Sequence, residues 1–156
     1  MLTVFSAFAN HGERVSATGA WILPKSFKYH TDHGLSSALV SFMHRHRLQT
    51  VVDIGAGEDA YVAALNASGY EVDAIDGANN IAQLSGGRVR THDLTTPLKP
   101  CVPFDLAISL EVAEHIPKQF EATYLDNLQC SCRRFLIISW ASPGQFGSGH
   151  VNTLKS

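Results

Sequence analysis

The chain has 156 residues, close to the ~150 of one ordinary domain, and its 45% hydrophobic and 17% charged content excludes a disordered or collagen-like polymer. Net charge is −2, and the 12 Lys and Arg residues form no basic run, so no nucleic-acid partner is expected. No apolar stretch approaches the ~20 residues that cross a bilayer, and no basic segment precedes an apolar one at the N-terminus, so neither a membrane partner nor a secretory signal is expected.

A single domain, 1–156, is predicted, with an N-terminal segment over 1–34 and a core over 35–156. Asp32 or Ser36 caps a helix from about Leu35 to Arg47, whose Leu35, Leu39, Phe42 and Met43 recur at helical spacing. Thr50 to Ile54 is a β-branched run ended by glycines. Tyr61 to Ser68 then reads as a helix stopped by Gly69. A second strand covers Tyr70 to Ile75, and a short helix Ala78 to Leu84. Arg88 to Arg90 is a brief third strand and Phe104 to Leu110 a fourth. A helix from about Lys118 to Gln129 and a fifth strand, Phe135 to Trp140, complete the series. Strands alternating with helices predict a three-layer α/β fold, a doubly wound, Rossmann-like parallel sheet of order 3-2-1-4-5. Cys101, Cys130 and Cys132 cannot all pair within one chain, so reduced thiols in a cytoplasmic setting are the simplest expectation.

In such a sheet, ligands bind beyond the carboxyl ends of the strands. After the first strand come Asp53-Ile-Gly55-Ala56-Gly57, where glycines permit a tight turn and close approach of a ligand. After the second stands Asp76-Gly77, 19 residues beyond Gly57 and suited to a ribose diol. Asp93-Leu94 follows the third strand, and Ser109-Leu110-Glu111-Val-Ala-Glu-His115 the fourth. This edge is acidic, with no Lys or Arg among these residues. A pyrophosphate would be poorly held there, and a ligand with ribose hydroxyls and positive charge would be well held.

The set resembles the class I S-adenosylmethionine-dependent methyltransferases, over roughly Asp32 to Asn152. Asp53-x-Gly55-x-Gly57 is similar to that family's first motif, Asp76 to its ribose-binding acid, and Asp93-Leu94 to its adenine-side segment. Ser109 to Pro117 resembles the post-strand-four segment of its small-molecule branch. The resemblance implies S-adenosyl-L-methionine as cofactor, held by Asp53, Gly55, Ala56, Gly57, Asp76, Gly77, Asp93, Leu94, Ser109 and Leu110. It implies methylation of a small polar molecule at oxygen or nitrogen.

The family's sheet normally has seven strands, and this chain ends shortly after the fifth, as a truncated or minimal form would. Asp59 stands where the first motif has its third glycine. The exposed edge of the fifth strand is expected to be covered by the N-terminal segment or by a second copy of the chain, a homodimer. Two other readings compete: a catalytically inactive methyltransferase-like binding module, and a nicotinamide-dependent oxidoreductase, since Gly55-x-Gly57-x-x-Ala60 also fits a dinucleotide loop.

If the segment after strand four is helical, Glu111 and His115 share a face at i,i+4, where the carboxylate orients the imidazole for proton removal. His150, in a glycine-flanked loop after strand five, is the other candidate base. Cys130-Ser-Cys132 offers two sulfurs without a second pair, and no metal centre is expected. The acceptor pocket is predicted from Trp21, Tyr29, His30, His33, Glu111, His115, Trp140, Gln145, Phe146 and His150.

Overall fold

The computed structural model describes residues 14–22, 32–58, 60–145 and 147–153. A two-stranded antiparallel hairpin, β1 (Arg14–Val15) and β2 (Trp21–Ile22), precedes the core. Helix α1 (His33–His46), strand β3 (Thr50–Ile54), helix α2 (Ala60–Ala67) and strand β4 (Glu71–Asp76) follow. Then come α3 (Ile81–Leu84), β5 (Arg90–Thr91), β6 (Phe104–Ser109), α4 (Glu121–Cys130) and β7 (Cys132–Ile138). The five core strands form one parallel sheet in the order β5-β4-β3-β6-β7. Counted within that sheet alone, this is third, second, first, fourth, fifth.

The hairpin shifts the strand count and was not foreseen, because two-residue strands are too short to display an alternation. The helix predicted over 78–84 contracts to the single turn of α3. The one predicted from Lys118 begins as a 3₁₀ turn over Lys118–Phe120 before α4.

Alternation along the central strands distributes the core. Val51, Leu106 and Ile108 face α1 and α2, packing on Leu39, Met43 and Leu65. Val52, Ile54 and Ala107 point the other way, against Tyr124 and Leu128 of α4. Helix α1 starts where Asp32 Oδ1 accepts from Leu35 N at 3.0 Å and ends at Arg47, whose φ of +53° breaks the helical path.

Two features fix the cavity-side loops. Asn127 on α4, only 2% exposed, accepts from Leu98 N at 2.9 Å and donates to the carbonyls of Leu94 (3.2 Å) and Thr96 (2.9 Å). It holds the segment after β5 in place. The hairpin turn lies over the strand ends. Gly19, at φ +86°, abuts the His115 carbonyl so closely that any Cβ would overlap it. Ala20 lies against Gly77, and the Trp21 ring meets His115 edge-on at 5.2 Å.

One expectation is corrected. Cys101 and Cys130 form a disulfide, joining the loop before β6 to the last residue of α4, and Cys132 alone is free. Three reduced thiols are therefore not what the fold contains, and the argument for a reducing, cytoplasmic setting goes with them. Of the N-terminal segment expected at the edge of β7, residues 14–22 sit over the cavity, and residues 1–13 and 23–31 lie outside the described residues. Among the described residues no strand pairs with the outer edge of β7, where Leu136 and Ile138 are 41% and 37% exposed. No helix among the described residues is long and apolar enough to cross a membrane.

Two measurements check these features. Thiol titration of the denatured, unreduced protein should return one reactive thiol per chain. Asn127→Leu, which strands an N–H and two carbonyls, should cost about 3 kcal/mol, read as a lower urea midpoint.

Candidate functional site

The carboxyl ends of β3 to β7 open into a cavity of about 900 Å³, within the size range of small-molecule sites. Its floor on the first-strand side is the Gly55-Ala56-Gly57 turn. The N–H groups of Gly55 and Ala56 both reach the Ile75 carbonyl, at 2.8 and 3.1 Å. Gly55 has φ +91°, and a Cβ there would strike the Val112 side chain. Asp76, at the end of β4, is fixed from both sides. Gly57 N donates to its Oδ2 at 3.0 Å and Ala78 N to its Oδ1 at 2.7 Å. Each oxygen keeps further acceptor capacity, and Asp76 and Gly77 both line the cavity. Burial nevertheless raises the Asp76 carboxyl above its ordinary value.

Asp93 and Leu94 also line the cavity, though Asp93 Oδ1 is engaged as a turn cap, accepting from Thr95 N at 3.0 Å and Thr95 Oγ1 at 2.7 Å. Five carboxylates face this space, from Asp32, Glu58, Asp76, Asp93 and Glu111. Among the described residues no Lys or Arg does.

Two predicted contact residues are not on the cavity wall. Asp53 is 2% exposed, and its Oδ2 has no hydrogen-bond partner. Burial, and then the neighbouring Asp76 charge, push its pKa up to about 8. Ser109 is fully buried, donating to the Ile54 carbonyl at 2.6 Å and pairing with the Tyr124 hydroxyl at 2.7 Å. It ties β6 to β3 and α4 and faces away from a ligand. Leu110, the next residue, does line the cavity.

The segment after β6 is not the expected helix. Glu111 adopts φ +58°, a left-handed conformation that costs a non-glycine residue roughly 1 kcal/mol. A reciprocal pair holds it, with Glu111 N donating to Ser139 Oγ (2.6 Å) and Ser139 Oγ donating to Glu111 Oε1 (2.7 Å). A 3₁₀ turn, Ala113–His115, follows. Glu111 therefore does not orient His115 through an i,i+4 contact. That part falls to the main chain, with His115 Nδ1 lying 3.0 Å from the Gly149 carbonyl. A carbonyl only accepts, so Nδ1 carries the proton and Nε2 the lone pair. Burial lowers the His115 pKa, keeping the ring neutral.

His150 comes next to it from the loop after β7, at 5.2 Å between ring centroids, with its Nδ1 3.3 Å from the Gln145 carbonyl. Glu114, to which the sequence reading gave no role, completes this group. It is wholly buried, neither carboxylate oxygen has a hydrogen-bond partner, and Oε1 lies 4.0 Å from His150 Nε2. Burial, reinforced by Glu111, pushes its carboxyl up to about 7. Sequence gives no sign of this, because only the 3₁₀ turn carries Glu114 inward.

Of the predicted acceptor wall, Trp21, Glu111, His115, Trp140 and Gln145 line the cavity. His33 is exposed at the start of α1. Tyr29, His30 and Phe146 lie outside the described residues, as does Asp59. Tyr61 was missed; it lines the cavity with its hydroxyl raised by burial and by the charge of Asp32.

No protein-family model matches this sequence, and no curated protein matches it. Solved structures do. The methyltransferase domain of bacterial CtHen1-C aligns at TM-score 0.59 and 16% identity, over 69% of this chain and 65% of that one. The magnesium protoporphyrin IX methyltransferase ChlM of Synechocystis PCC 6803, with bound SAH, gives 0.58 and 18%, over 76% and 64%. CalS10, a SAM-bound amino pentose methyltransferase of Micromonospora echinaspora, gives 0.61 and 18%, over 76% and 55%. The chain thus shares the fold of S-adenosylmethionine-dependent methyltransferases and spans about half to two-thirds of their length.

The Asp53 environment has a measurable consequence. Its carboxyl ionises near 3.8 when unfolded and near 8 when folded, so between those values the folded state keeps a proton that the unfolded state has lost. Stability should therefore fall as pH rises from about 4 to 8. Asp53→Asn should flatten that slope and raise the melting temperature at pH 8 relative to wild type, with little difference at pH 4. Melts at the two pH values check it.

Proposed function

We propose that this chain is an S-adenosylmethionine-dependent methyltransferase acting on oxygen or nitrogen of a small polar molecule. The observation that carries the reading is the charge of the cavity, where five carboxylates and no described Lys or Arg surround a glycine turn at the end of β3. A dinucleotide's pyrophosphate would meet only repulsion there, whereas a cationic ligand bearing ribose hydroxyls is complementary. The fit extends to single atoms. Asp76 is held by Gly57 and Ala78 with lone pairs to spare for a ribose diol, and Asp53 sets an unpaired carboxyl oxygen beneath the same turn.

The Gly55-Ala56-Gly57 main chain, Asp76 and Gly77 would hold the nucleoside, with Asp93, Leu94 and Leu110 on its adenine side. When bound, the cofactor supplies an electrophilic methyl group on a sulfonium. The chain's own contribution is to bury the reacting groups, orient the acceptor and remove its proton. His115 and Glu111 line that end of the cavity, with the Trp21 ring edge-on to His115, and His150 lies beside His115. His115 is neutral there, so its Nε2 lone pair is available at physiological pH. The cavity's aromatic and apolar walls with few polar tips suit a small acceptor.

Calorimetry with S-adenosylhomocysteine should give a saturable site that is lost in Asp76→Ala and in Gly55→Val, and NAD should give none. Preferential NAD binding would reverse the assignment. With an acceptor in hand, His115→Ala should lower turnover by ~10²-fold or more without changing cofactor affinity.

A further inference from the structure

We propose that Glu114, His115 and His150 form a binding site for one divalent transition cation, beside the acceptor end of the cavity, whose wall His115 reaches. One ligating atom from each of the three lies within 4.8 Å of the others. A cation about 2.1 Å from each would need the three to close by about an ångström or less. From sequence no metal is expected, since the cysteines lack a second pair and these three residues come from two segments joined only by the fold.

Three independent features point to a cation. The first is the Glu114 carboxylate, wholly buried with both oxygens lacking a donor. Buried carboxylates are otherwise hydrogen-bonded, paired or metal-bound, and among the described residues no Lys or Arg approaches this one.

The second is the orientation of the histidines. Nδ1 of His115 faces the Gly149 carbonyl and Nδ1 of His150 the Gln145 carbonyl. Outer contacts of this kind fix the tautomer of metal-binding histidines and leave Nε2 free to ligate. His150 Nε2 is the atom that faces Glu114.

The third is rigidity. Val151 N and Asn152 N both donate to the Glu114 carbonyl, at 2.8 and 3.0 Å. The loop bearing His150 is thereby clamped to the turn bearing Glu114 and His115, so the site needs no folding of a free loop.

Two imidazoles and one carboxylate suit Mn, Fe, Co or Zn better than Mg or Ca. Three protein ligands leave coordination positions open, as sites that handle a substrate do. The use of the cation rests on the methyltransferase reading. A hydroxyl of the acceptor bound to it would ionise near neutral pH, its proton passing to the Glu111 carboxylate on the cavity wall. The resulting alkoxide oxygen would form the new bond to the methyl carbon as the carbon–sulfur bond breaks. The acceptor class is accordingly narrowed to a hydroxyl compound.

The test is titration of metal-stripped protein with Co²⁺, followed by its visible d–d absorption and by calorimetry, with S-adenosylhomocysteine affinity measured on the same samples. Wild type should bind one Co²⁺ per chain. Glu114→Gln and His150→Gln should each weaken that binding by ~10²-fold while S-adenosylhomocysteine affinity stays the same. Should the buried Glu114→Gln fail to fold, His150→Gln in the partly exposed loop carries the comparison. Absence of d–d absorption in wild type at millimolar Co²⁺, or undiminished binding in His150→Gln, would overturn the proposal. Co²⁺ binding without any S-adenosylhomocysteine binding would leave the cation site standing and remove the methyltransferase reading. The reverse pattern would leave proton removal to His115 directly.

Discussion

The acceptor end of the cavity hangs on one main-chain oxygen. The Glu114 carbonyl accepts from the N–H groups of both Val151 and Asn152, and through it the loop after β7 is fastened to the turn after β6. The fastening is itself buttressed. Asn152 Nδ2 donates to Glu121 Oε2 at 2.9 Å, and the Asn152 carbonyl accepts from Trp140 Nε1 at 2.8 Å. Asn152 is buried, so these groups have no water to exchange with. Because the clamp acts on residue 114 itself, it fixes at once where His115 turns and where His150 arrives. Two loops that would otherwise move independently become one rigid platform, and rigid support is what a site of this kind needs.

The β1–β2 hairpin closes the same end from above. Its turn touches the His115 main chain, Trp21 meets the His115 ring, and Ala20 packs on Gly77. One short element thus bridges the strand ends on which nucleoside and acceptor would sit. By excluding water it lowers the local dielectric, which strengthens every charge interaction beneath it. The depressed basicity of His115 and the raised pKa of Glu114 both have burial as their leading cause. The roof and the electrostatics of the floor are therefore two aspects of one arrangement.

What was legible in the sequence follows from the range of the forces involved. Thr50 to Ile54 and Phe104 to Ser109 read as buried strands because both their faces are covered, making their apolar runs nearly continuous. The acidic and glycine residues at the strand ends were legible because a parallel sheet sends every such end to one side. Ser109 was misplaced by one residue of pleat: it shares the face of Ala107, toward Tyr124, so its hydroxyl is spent inside the fold. Glu111 and His115 were placed on a helix that the left-handed Glu111 prevents. Glu114, the hairpin and the Cys101–Cys130 bridge depend on contacts between distant segments, and no local pattern encodes those.

The distribution of charge explains why the cavity can remain acidic without falling apart. Asp53 is buried beside the half-buried Asp76, and desolvation raises both carboxyls above their ordinary pKa values. Two such carboxylates side by side cannot both ionise cheaply, and at neutral pH the pair relieves itself by keeping a proton on Asp53. Asp76 accepts from two main-chain N–H groups, which favour its ionised form and oppose the upward push of desolvation. A cationic ligand entering above the glycine turn would supply the missing counter-charge, letting Asp53 release its proton as the ligand binds. The fold thus stores unfavourable electrostatics where a positively charged group can relieve them, and a neutral or anionic ligand could not.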